Sequence, residues 1–349
     1  MVGNTSPLII KSRYKTKRSQ NLRIADYFIN ILYSFTFTAY AIFIGLRPVT
    51  VGTDTLSYVN LFNFFESMPE LTISYEAGFL VFVRLVKIFT NNSQIFILII
   101  ALITTLFIYL SGIVLFNVNR RLVYAIFMVL SPFLFSLETN GLRQGMAISI
   151  CIFSFSISSK LLKNWRRVVL YVTAPFIYFI HLPSLVSWIA FIVYIRRLRA
   201  EVIWVISIFI SIFTSLYSPI IGRVFNSTKY AVYFDSQQTS YITGIRFDFI
   251  AYSSLIIIVS IVMNKSGLKS SKEFKRIITA YCIINSIGMI LNFMPFYSRI
   301  LLASWVLAPI ILTQAYNTLS SSKKRRSVVS FIYILGLGII FYIFGYIAL

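Results

Sequence analysis

The sequence predicts an all-α, polytopic integral membrane protein, and three observations carry that class. Hydrophobic residues make up 58% and charged residues 12% of its 349 residues, with a mean hydropathy of +0.82. That leaves too little polar surface to cover a soluble domain of this size. The apolar residues fall in runs of about 20, the helix length that crosses the hydrocarbon core. Twenty-four of the 32 Lys and Arg residues lie in six clusters at the edges of those runs: Lys11 to Arg23, Arg120 to Arg121, Lys160 to Arg167, Arg196 to Arg199, Lys265 to Arg276, and Lys323 to Arg326. Carrying such charges across a bilayer is unfavourable and cytoplasmic loops collect them, so all six clusters are expected inside.

Each element follows from this pattern. Residues 1–23 form a basic cytoplasmic tail, and 24–347 form a single polytopic membrane domain without internal repeats. The first apolar run, 24–46, is too long for a signal-peptide core and lacks a small-residue cleavage site, so it is an uncleaved helix. Further crossings are expected at 94–117, 121–137, 142–159, 202–225, 247–263, 277–294, 299–317 and 328–347. The run 168–195 has basic clusters at both ends, and one crossing cannot both begin and end in the cytoplasm. It is therefore a hairpin with its apex at His181-Leu182-Pro183, where proline disfavours continuous helix. A full crossing at 76–89 would put Arg120 and Arg121 outside, so that stretch is expected to be amphipathic or re-entrant on the outer face. The total is about eleven transmembrane helices, N-terminus in and C-terminus out.

Sorted by this topology, the outer face holds only eight basic residues, Arg47, Arg84, Lys87, Arg143, Arg223, Lys229, Arg246 and Arg299, but seven of the acidic ones and the single histidine. The net charge of +22 does not mark a nucleic-acid surface, because the basic residues punctuate spans and face anionic headgroups. Cys151 and Cys282 sit inside apolar runs, without metal spacing or a plausible disulfide. No outer carboxylates show metal-site spacing.

The outer face carries the candidate chemistry. In the loop after the first helix, Gly52 and two threonines present Asp54, which could take a proton from an incoming hydroxyl or could simply cap the next helix. Arg143 lies in the first turn of a helix that opens at Gly141, where free N–H groups and the positive dipole end favour phosphate. A cation there opposes the dipole, so it serves either an anion or a salt bridge to Glu138. His181 could act as base, as hydrogen-bond donor to a phosphate, or as a packing residue. Arg299 opens a late crossing and either snorkels or adds a second arm to an anion clamp. Arg84 and Lys87, on one face of 76–89, could meet headgroups or guard an entry path. Tyr230, Tyr233 and Tyr241 fit an interface belt as well as sugar stacking.

The order of these pieces resembles the EpsG-like group of Wzy-type polysaccharide polymerases of O-antigen and capsule. Gly52-Thr53-Asp54 with Tyr58, Glu76 in YEAGF, GLRQGMA at 141–147, His181 with Ser184, and Arg299 carry the resemblance over roughly residues 40–310. It implies a many-helix, GT-C-like glycosyltransferase in the bacterial inner membrane. Such an enzyme joins undecaprenyl-diphosphate-linked oligosaccharide donor and acceptor at the outer face, without cofactor or metal, and the resemblance leaves room for a chain-length regulator. It implies that Asp54 or His181 activates the acceptor hydroxyl, and that Arg143 and Arg299, with Arg47, Tyr58, Glu76 and Gln144, bind the diphosphate and substrate. Two other classes compete. A flippase of lipid-linked sugars would place charges along a cavity reachable from both faces, whereas here they gather on one. A membrane acyltransferase would draw a cytoplasmic acyl donor, but the single histidine is placed outside.

Overall fold

The computed structural model describes residues 7–68, 72–73, 75–161, 163–192, 199–225, 243–265, 272–295, 297–320 and 325–348. The tyrosines of the 226–246 loop lie outside the described residues. Among the described residues the regular structure is helical throughout.

Helix α1 (Pro7–Gly45) buries Tyr33, Phe37, Tyr40, Ala41 and Ile44, the spacing of one helical face, while Phe28, Leu32, Phe35 and Phe43 are exposed on the others. Large apolar side chains facing outward in a long helix are what hydrocarbon accommodates. Short helices α2 (Thr55–Asn63) and α3 (Ala77–Phe89) follow, then α4 (Ser93–Leu115), which packs between α1 and α7 (Leu142–Lys160). Between them lie α5 (Val118–Val129) and α6 (Pro132–Thr139). The second half consists of α8 (Lys163–Ile180), α9 (Leu185–Ile192), α10 (Ala200–Ile212), α11 (Thr214–Phe225), α12 (Phe247–Lys265), α13 (Lys272–Ile290), α14 (Tyr297–Trp305), α15 (Ala308–Ser320) and α16 (Arg325–Ala348).

Among the described residues, three segments are long and apolar enough to cross a membrane, Arg23–Gly45, Ser93–Leu115 and Tyr297–Tyr316, or up to five if each of two bent pairs is one span. The bends correct two expected straight crossings. The run 121–137 divides into α5 and α6, which meet at 59°. Pro132 holds Ser131 in extended conformation, and the missing proline N–H ends the ladder. Carbonyls at this bend find partners on α16, where Tyr342 donates to Phe127 at 2.6 Å and Tyr346 to Leu130 at 3.1 Å. The run 202–225 divides into α10 and α11 at 86°. Asn292 stabilises that corner, accepting from Thr214 at 2.7 Å and donating to the Ser211 carbonyl at 3.4 Å.

The expected break at His181 is present as a single 3₁₀ turn, Leu182–Ser184, between α8 and α9. The Trp188 indole donates to the Leu170 carbonyl at 2.9 Å, a residue ten positions before α8 ends, so the two helices fold back side by side.

A polar network joins the helices of the second half from within. Asn285 on α13 accepts from the Trp204 indole at 2.7 Å and donates to Ser253 and Ser304, each at 2.9 Å, while Trp305 donates to Ser253 at 3.0 Å. All five side chains are buried. In a lipid environment, where apolar contact does not distinguish protein from solvent, such bonds select helix partners.

Candidate functional site

Among the described residues, the C-termini of α1, α6 and α8 and the N-termini of α2, α3, α4, α7 and α14 meet at one end of the bundle. Helix α7 carries Arg143 at this end and Lys160 at the other, about 26 Å apart at 1.5 Å per residue.

Two acidic residues here stand at helix N-caps but do not cap. Asp54 precedes α2 and Glu76 precedes α3, and neither side chain accepts a bond from its own first turn. Each reaches across the fold to an arginine at the start of another helix. Asp54 accepts from Arg299 on α14 at 2.7 Å, and Glu76 pairs with Arg143 on α7. The partners are 245 and 67 residues apart in the chain. The salt bridge expected between Arg143 and Glu138 is not formed: Arg143 pairs with Glu76, and Glu138 instead accepts from Thr105 at 2.9 Å in the buried interior. The electrostatic misfit of a cation at a helix start is resolved by a carboxylate from another element.

The Arg143 guanidinium stacks 4.4 Å from the Tyr75 ring centroid, and its Nε donates to the Tyr58 hydroxyl at 3.4 Å. Tyr75 is a site residue that sequence reasoning missed; the signal available was its adjacency to Glu76. The two ion pairs differ in access. Side-chain exposure is 34% for Arg299 and 24% for Asp54, against 13% for Arg143 and 9% for Glu76. The outer pair is open to a ligand and the inner pair is mostly enclosed by aromatic rings.

Gln144, next to Arg143, donates to the Arg299 carbonyl at 2.5 Å, which ties the starts of α7 and α14 together. Gln144, Arg299 and His181 line one cavity of about 370 Å³, walled otherwise mainly by apolar residues such as Leu185, Ile189, Ile221 and Met294. His181 Nδ1 lies 2.9 Å from the Ser184 hydroxyl across the 3₁₀ turn. Asp54, Arg143 and Glu76 stand beside this cavity and are not among its lining residues.

Arg47 is not brought to this group. It is 6% exposed and donates to the Ile44 carbonyl at 2.7 Å, the Thr55 hydroxyl at 3.1 Å and the Val51 carbonyl at 3.4 Å, so its guanidinium folds the loop. Burial lowers its pKa, opposed by the negative charge of Glu138. Lys87 is also engaged, donating to the Phe62 carbonyl at 2.8 Å at the end of α2, while Arg84 is exposed. At the opposite end of the bundle a second cavity of about 510 Å³ is lined by Asp26, Arg121 and Lys160 among others. Among the described residues there is no group of three or more His, Cys, Asp or Glu arranged to hold a metal ion.

Fold and site together define a helical membrane protein whose acids, arginines and histidine meet at one end of the bundle, beside an apolar cavity. The chain belongs to the EpsG family, whose family model matches residues 30–348. Membership suggests a polysaccharide-related polymerase role. Comparisons with curated proteins and with solved structures give no match.

Proposed function

We propose that the chain polymerises undecaprenyl-diphosphate-linked oligosaccharide repeat units at the outer face of the bacterial cytoplasmic membrane. In this reading the basic N-terminus is cytoplasmic, about eleven crossings build a GT-C-like domain, and the end bearing Asp54, Arg143, His181 and Arg299 faces outward. The observation that carries the proposal is the pairing of two helix-start arginines with two non-capping carboxylates beside a mainly apolar cavity that His181, Gln144 and Arg299 also line.

The chemistry asks for these groups. The acceptor hydroxyl oxygen bonds the anomeric carbon of the donor glycan, the carbon–oxygen bond to the lipid diphosphate breaks, and its electron pair leaves on the diphosphate. Growing negative charge is stabilised by fixed cations in an enclosed site. Arg299, the more exposed arginine, meets the diphosphate first, and Arg143 supports it from the enclosed side. Asp54 is positioned to receive the acceptor proton once Arg299 turns to the diphosphate, with His181 as the other candidate base. The apolar wall of the cavity suits a polyprenyl tail.

Glycan ladders test this against transport. In a deletion strain, Asp54→Asn at normal abundance should give single-unit glycan chains and no ladder, because the units still reach the outer face and a ligase attaches them. A dead flippase strands units on the inner leaflet. If Asp54→Asn, Arg143→Ala and His181→Ala each abolish even the one-unit species, transport replaces polymerisation as the function.

A further inference from the structure

The loop that carries Asp54 has no regular structure of its own, yet it meets the turn before Arg143 through four separate contacts. The Thr53 amide donates to Asn140 Oδ1 at 2.8 Å, and the Thr53 hydroxyl lies 3.4 Å from the same oxygen. Thr55 donates to the Thr139 carbonyl at 2.9 Å. Gly52, at φ +94°, lies so close that a Cβ there would stand 2.4 Å from the Thr139 carbonyl oxygen, a place open only to glycine on both steric and backbone grounds.

We infer that Asn140 is a positioning residue, a clasp that sets the carboxylate of Asp54 relative to Arg143 and Arg299. It rests on the function proposed above. Thr53 is the residue immediately before Asp54, and Asn140 stands three before Arg143, so one side chain joins the backbone of the acid to the helix start of the cation. The Thr53 hydroxyl also lies 3.3 Å from Asp54 Oδ1. Its single proton is shared between Asp54 and Asn140, which couples the two side chains directly. Without the Asn140 oxygen, the Thr53 amide and hydroxyl lose this partner beside Asp54, while Thr55 and Gly52 still hold the rest of the loop to Thr139, and a misplacement of about 1 Å at a reacting group costs on the order of 10²-fold in rate.

The charged and titratable groups around Asp54 are Arg299 from α14, Arg143 and Glu76 as the neighbouring pair, His181 beside the cavity, and buried Arg47 and Glu138 beneath the loop. Among them Asn140 is neutral. Asn140→Asp keeps the accepting oxygen and adds a negative charge two hydrogen bonds from Asp54.

The experiment uses the full chain in membranes, with the lipid-linked repeat unit accumulated by a polymerase-deletion strain as substrate. Asn140→Ala should lower turnover about 10- to 100-fold with KM changed less than about threefold. Asn140→Asp, which keeps the accepting oxygen, should recover most of that turnover at an unchanged KM. A purely structural role would lower the amount of inserted protein and leave turnover per inserted molecule unchanged. If Asn140→Ala fails to insert, Asn140→Gln, which keeps the amide but moves its oxygen by one methylene, decides by the same measurement and should also lower turnover. Wild-type turnover per inserted molecule in Asn140→Ala or Asn140→Gln, or no recovery in Asn140→Asp, overturns the inference. The function proposed above fails separately, if Asp54→Asn retains full ladders.

Discussion

At the scale of single residues, the site is governed by how charge is compensated in a partly dry setting. Arg143, stacked on Tyr75 and bonded to Glu76 and Tyr58, has the planar fork that a lysine lacks. Arg143→Lys should therefore lose activity nearly as badly as Arg143→Ala, on the order of 10²-fold in turnover, while Arg299→Lys, in the more exposed pair, should lose less. Polymer length distributions in a deletion strain measure both. Full-length polymer from Arg143→Ala at normal abundance rejects the clamp. The candidates themselves were legible from the sequence because Asp54, Arg143, His181 and Arg299 are polar residues at the ends of apolar runs. Their partners were not: nothing local distinguishes Glu138, five residues from Arg143, from Glu76, which the fold selects. Arg47 lies at a helix end like Arg299 and carries the same charge, and only packing shows that its donors are spent on the loop.

At the scale of elements, the helices follow from hydropathy, while their bends follow from a few side chains. Pro132 marks one bend in the chain itself. The bend at Phe213 has its partner, Asn292, 78 residues from Thr214, and sequence offers no warning of it. The Asn285 network is the clearest element-level prediction. Asn285→Leu keeps the branched shape but strands the Trp204 indole in the interior and removes two interhelical bonds to Ser253 and Ser304, which keep Trp305 and the Leu301 carbonyl as partners. Interhelical bonds of this kind are worth about 0.6–2 kcal/mol each in membranes. The melting temperature of the purified protein in detergent should fall by several degrees, with no change in ladder length among the molecules that remain folded. An unchanged melting temperature would mean that the network does not hold these helices together.

For the whole molecule, the proposed orientation puts the two ends of α4 on opposite faces. Asn91 precedes that helix and Asn119 follows it, and both are exposed. An Asn91→Cys variant should react with an impermeant thiol reagent in intact cells, and Asn119→Cys only after permeabilisation. Native Cys151 and Cys282 are 1% and 0% exposed and give no background. Labelling of Asn119→Cys in intact cells inverts the molecule and, with it, the face on which the chemistry is proposed to occur.

The sequence by itself determined what depends on segments one at a time. Each run of apolar residues partitions into hydrocarbon on its own account, each basic cluster resists transfer, and Pro183 disfavours continuous helix just before itself, so the helical membrane class and the break after Ile180 could be read in order along the chain. The tertiary structure decided what depends on pairs. Asp54 with Arg299, Glu76 with Arg143 and Thr53 with Asn140 are joined over 245, 67 and 87 residues. Such ion pairs and clasps form only when packing brings helix ends to one place, and a charge in a linear sequence carries no record of which opposite charge will be there.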